Sequence, residues 1–122
     1  VTAALGLDVR TTPLNFKVNK GETFTITIPI LDDSAAVISM AGWSAIAQVC
    51  QEGGDQTLYY EWSAANNNLT CTDDGVVLQL LGEITAAWTW TSAMFELQIT
   101  NPLGQPGIPG RGPFLAVDRL IQ

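Results

Sequence analysis

The sequence predicts an all-β chain, an antiparallel β-sandwich of seven to eight strands with at most one short helical turn near residues 83–88. Three observations carry this. Apolar residues recur with a period of two in segment after segment, and only rarely with the 3.6 period of a helix. Clusters of glycine, asparagine and aspartate interrupt the alternation every ~8 to 12 residues, the spacing of sandwiches and barrels. At 122 residues with 47% hydrophobic side chains, the chain can bury one core but not two.

Taken in order, residues 1–12 lack strong strand signals and are expected to form an extended N-terminal arm, one that grips a neighbour or frays. Residues 13–122 are expected to form a single β-sandwich domain. The opening VTAALGLDVRTTP has no basic region followed by a long apolar run, so neither a signal peptide nor an anchor is expected. Leu14, Phe16 and Val18 alternate with Asn15 and Lys17, KGE at 20–22 supplies a turn, and Phe24, Ile26, Ile28 and Ile30 then alternate with threonines.

After the polar DDSA at 32–35, Ile38 and Met40 lead into a strand whose one face is Trp43, Ala45, Ala47 and Val49. QEGGDQ at 51–56 reads as a hairpin loop returning into Leu58, Tyr60 and Trp62 on a common face. SAANNN at 63–68 breaks the pattern before LTCT. The DDG turn at 73–75 follows, with glycine supplying a positive φ, and then VVLQLL. GEITAAWTW at 82–90 holds the expected helical turn. MFELQIT puts Phe95, Leu97 and Ile99 on one face, and PFLAVDRLI at 113–121 reads as the last strand.

Charge and chemistry narrow the function. Twelve acidic against five basic side chains give a net charge of −7, which repels phosphate backbones and anionic headgroups, so neither nucleic acid nor membrane is expected as a partner. With no histidine, the Ser-His-Asp and Cys-His arrangements are absent and no enzyme is expected. Cys50 and Cys71 have no CxxC spacing and read as two buried or half-buried thiols sooner than one disulfide. The pairs Asp32-Asp33 and Asp73-Asp74 lie in turns without the spacing of a calcium loop, so no metal or cofactor is expected.

Trp43 and Trp62 fall on apolar faces and read as core. Trp88 and Trp90, in WTW, project to one side of an extended segment, which suits a partner interface or a capped sandwich edge.

The ordered series LNFKVNKGETFTITIPI, MAGWSAIAQV, LTCTDDGVVLQLLGEITAAWTW and MFELQITNPLGQ resembles a family of immunoglobulin-like domains in tailed-phage virion proteins. That family includes minor tail proteins and the N-terminal domain of baseplate upper proteins. The matching positions are Lys20-Gly21, Thr23-Phe24, Gly42-Trp43, Phe95-Glu96-Leu97 and Asn101-Pro102-Leu103-Gly104.

The resemblance covers roughly residues 14–121 and implies an immunoglobulin-like sandwich. It also implies a non-enzymatic subunit of a bacteriophage virion, assembled in the host cytoplasm and contacting other virion structural proteins in multiple copies. A minor tail or baseplate-associated position is the first expectation. A capsid decoration protein is the alternative within the class. A carbohydrate-binding module using Tyr59, Trp62, Trp88 and Trp90 against a host-surface glycan is the alternative outside it.

The departure from the family pattern is GQPGIPGRG at 104–112. Its glycines fall at the spacing of collagen triplets, but the run stops at Gly112-Pro113, far too short for a triple helix. It is expected as a protruding hairpin loop stiffened by prolines. Gln105, Ile108 and Arg111 are its candidate partner contacts, together with Trp88 and Trp90.

Overall fold

A computed structural model describes residues 10–11, 14–32, 34–53 and 57–118. Ten strands and one helix follow in the order β1 (Arg10–Thr11), β2 (Phe16–Asn19), β3 (Phe24–Ile28), β4 (Ile30–Leu31), β5 (Ser44–Cys50), β6 (Leu58–Ser63), β7 (Leu69–Thr72), β8 (Gly75–Leu80), α1 (Gly82–Ala86), β9 (Ser92–Thr100) and β10 (Pro106–Val117). A five-stranded sheet in the order β2-β10-β9-β5-β6 faces a three-stranded sheet in the order β3-β8-β7, and β1 pairs with β4 one residue beyond β3. In immunoglobulin lettering the first sheet is G, F, C and C′ with an added N-terminal strand, and the second is B, E and D. The chain is an all-β, immunoglobulin-like sandwich.

Local chemistry explains the breaks. Pro29 has no N–H to give a ladder and separates β3 from β4. Gly75 opens β8 at φ +135°, the positive value that the DDG turn requires. The short α1 is held at both sides of its first turn. Gly82 N–H donates to Thr23 Oγ1 at 2.7 Å, and the buried Thr85 hydroxyl accepts from Gly21 N–H at 2.8 Å while donating to Gly82 O at 3.1 Å.

The core lies between the sheets. Ala45, Ala47 and Val49 from β5, Phe95, Leu97 and Ile99 from β9, and Phe114 and Ala116 from β10 meet Ile28, Val76, Leu78 and Leu80 opposite, all buried. Trp62 is fully buried and its indole N–H reaches Gln79 O in the facing sheet at 3.0 Å, so its one polar atom is satisfied. No disulfide crosses the sandwich: Cys50 and Cys71 are both free, as expected, in different sheets.

Four expectations need correction. The sandwich is not wholly antiparallel, because β2 runs parallel to β10, with Phe16 opposite Phe114 and Asn19 opposite Val117. The chain pairs with β4 in a separate two-stranded sheet at Arg10–Thr11 and with β10 in the five-stranded sheet from Phe16, and alternation alone carries no record of such a change of partner. Leu58 does not share a face with Tyr60 and Trp62. Val49 faces Tyr60 while Cys50 faces Leu58, so Tyr59 is an extra, bulged residue that reverses Leu58.

The last strand starts at Pro106 and not at Pro113, so GQPGIPGRG is largely strand; the connecting turn is Asn101–Gln105. Glycine makes this possible, since a Cβ at Gly112 would overlap the Leu14 carbonyl oxygen and one at Gly110 would crowd the Leu14 side chain. Finally, Arg10–Thr11 of the expected arm are paired in a sheet; the rest of that arm lies outside the described residues.

Candidate functional site

The five-stranded sheet turns one face to the core and one to solvent, and register aligns the outward residues of β10, β9, β5 and β6 in rows. One row is apolar: Pro113, Met94, Cys50 and Leu58 stand opposite one another across the four strands. The next is polar: Arg111, Glu96, Gln48 and Glu61. In it the Arg111 guanidinium lies 2.9 Å from a Glu96 carboxylate oxygen, and Gln48 Nε2 donates to Glu61 Oε1 at 2.8 Å. Beyond it Ile46 lies between Gln98 and Ser63.

Several of these apolar side chains are open to solvent, led by Leu58 at 50% and Ile46 at 42% exposure. A hollow of ≈ 260 Å³ on this face is walled by Cys50, Glu52, Met94, Glu96 and Arg111.

The candidate contacts do not form one site. Gln105 is held inside its turn: its N–H donates to Asn101 Oδ1 at 2.9 Å and its Oε1 accepts from Asn101 Nδ2 at 2.8 Å. It shapes the chain reversal. Ile108 sits in the irregular stretch of β10 between Gly107 and Gly110 and is 54% exposed. Arg111 is exposed but already paired with Glu96, so it is not a free cation awaiting an acidic groove.

Trp88 and Trp90 lie elsewhere, half-buried where the chain passes from α1 to β9. Their rings stack at 4.4 Å, Tyr59 stacks on Trp90 at 4.8 Å, and both indoles lean on Phe114. With a ring against each face of Trp90, that indole has no open face for a sugar. The two tryptophans cap the sandwich edge.

The thiols are not activated. Burial, and then the Glu96 carboxylate, push the Cys50 thiol above its ordinary value; burial alone does the same for Cys71. Asp32 spends its carboxylate on the backbone N–H groups of Ser34 and Ala36, and Asp73 accepts from the Ser39 hydroxyl at 2.6 Å. Among the described residues no group of three or more potential metal ligands converges.

Sequence reasoning missed the apolar row. Its members were visible as the outward positions of alternating strands, but only the pairing register brings Pro113, Met94, Cys50 and Leu58 side by side.

No family model and no curated protein sequence matches the chain. Among solved structures, extracellular domains 3–5 of Drosophila OTK align with it at 12% identity and a TM-score of 0.43, over 90% of this chain and 36% of that one. The chain thus spans about a third of that structure's length.

Proposed function

We propose that the protein is a non-enzymatic structural subunit of a tailed-phage virion, a minor tail or baseplate-associated component acting through protein–protein contacts. The observation that favours an assembly role is the outward face of the five-stranded sheet, where an unbroken apolar row runs beside a polar row in which Arg111 pairs with Glu96 and Gln48 donates to Glu61. Such a face suits burial against a neighbour. The apolar row supplies area removed from water, and the polar row fixes orientation. The virion setting rests on the ordered motifs of the sequence resemblance.

The hollow beside Cys50 adds no activated thiol to this face, because burial, and then the Glu96 carboxylate, push the Cys50 thiol above its ordinary value. Antibody against the chain, applied to virions and viewed by electron microscopy, tests the reading. Label at the tail or baseplate is the expected outcome. Label confined to heads transfers the protein to capsid decoration, and absence of label from purified particles removes the virion reading.

A further inference from the structure

The three-stranded sheet has an unguarded edge. Gln79 N–H donates to Asn68 O on the β7 side, so Gln79 and its partner Thr25 form a non-hydrogen-bonded pair between β8 and β3. By the same alternation Thr27, opposite Val77, is a second such residue. The N–H and C=O groups of Thr25 and Thr27 therefore point out of the sheet. Among the described residues nothing hydrogen-bonds to them.

The outer strands β2, β6 and β7 are protected. β2 carries Lys17, β6 carries Glu61 and the Tyr59 bulge, and β7 is four residues long and accepts a hydrogen bond from Met40 N–H. FTITI has neither charge, proline nor bulge. Beside its edge a groove of ≈ 230 Å³ opens between β2 and β3, lined by Phe16, Val18, Phe24 and Ile26 together with the polar Lys17, Asn19 and Glu22.

We infer that this edge receives residues 1–9 of a second copy of the chain as an added antiparallel strand. VTAALGLDV contains few β-branched residues, but its parity is clean: Val1, Ala3, Leu5, Leu7 and Val9 are odd, and Thr2, Ala4, Gly6 and Asp8 are even. On an added strand the odd set enters the groove and the even set faces solvent. Nine extended residues reach ~30 Å, more than the ~17 Å length of a five-residue edge.

The direction of β1 favours another copy as the donor. Arg10 lies opposite Leu31 and Thr11 opposite Ile30, antiparallel, so β1 followed from Thr11 back to Arg10 runs away from β3. Donor and acceptor surfaces differ, so the exchange is either reciprocal, closing a two-fold dimer, or head-to-tail, building rings or filaments. The inference uses only this chain's own segments and stands or falls independently of the virion reading.

Sedimentation velocity over a range of protein concentrations tests it, using the chain, a variant lacking residues 1–9, and Thr25→Pro, which removes one outward N–H without touching a bond to β8. The chain is expected to associate with concentration, while the deletion variant and Thr25→Pro sediment as single copies with unchanged circular dichroism. Thr25→Val, which keeps the backbone, is expected to associate like the parent.

A peptide of residues 1–9 should bind the deletion variant saturably, a readout that does not depend on Thr25→Pro folding. Association that survives the deletion, or that is lost equally in Thr25→Val, overturns the inference. So does a peptide that fails to bind, or a single-copy chain whose deletion variant does bind the peptide, which would mean docking on its own edge.

Discussion

Two strands of this molecule invert the ordinary relation between composition and position. β10 is the longest strand and among the poorest in β-forming residues, with glycine at 107, 110 and 112 and proline at 106, 109 and 113. Yet it is paired on both sides, by β9 along its length and by β2 at Phe114–Val117. β3, Phe24–Ile28, is ideal strand sequence, and among the described residues it is paired on one side only. Propensity measures fit to a half-buried pleated surface and does not decide where in a sheet a strand sits. β10 is central because Phe114 and Ala116 fill the core and its glycines let the chain at Leu14 pass close by.

The largest expected effect follows from that contrast. Phe114 is fully buried among the rings of Phe16, Trp62, Trp88, Trp90 and Phe95, so Phe114→Ala should cost about 3–5 kcal/mol. Phe24→Ala, at a half-buried site on β3, should cost less than half as much. Urea unfolding of both variants measures the pair. Equal losses would mean that the two strands carry the core equally and would break the comparison.

Gly112→Ala sharpens it. The added methyl group meets the Leu14 carbonyl oxygen, and backbone cannot yield as a side chain can. A loss of about 1–3 kcal/mol is expected, within the range of overpacked cores. Hydrogen exchange should show the damage concentrated at Leu14–Asn19 and the neighbouring part of β10. A neutral result would mean that the glycine-proline stretch behaves as the loop its composition suggests.

The sandwich was legible in the sequence because alternation is a local property. Ala45, Ala47, Val49, Phe95, Leu97 and Ile99 fall on the expected faces, and the short helix at Gly82–Ala86 lies almost where the alternation lapses. What escaped was set by contacts between distant segments. The glycines of GQPGIPGRG read as loop because the residue that needs them, Leu14, lies about a hundred positions away. The bulge at Tyr59 reversed Leu58, and no feature of LYYEWS marks it. Likewise the candidate site was legible as a set of outward residues, including Ile108 and Arg111, but not as rows, because register is decided by neither strand alone.

The smallest effect is expected at Arg111, and it separates folding from assembly. The pair with Glu96 is exposed, its side chains retaining 65% and 41% of their accessible area, so solvent screens it. Arg111→Ala should therefore change stability by no more than about 0.5–1 kcal/mol, and by less at high salt. Docking is a different matter. On a face buried against a neighbour, removing Arg111 leaves Glu96 desolvated without its partner, the situation in which breaking an ion pair is most damaging. The variant should fold normally, with its urea midpoint close to the parent's, and be depleted from assembled particles when competed against parent chain. Glu96→Gln with Arg111→Gln removes both charges and should recover part of the loss. Equal incorporation of parent and Arg111→Ala would show that the polar row stays in water in the assembly, and the docking surface would then have to be sought away from this face.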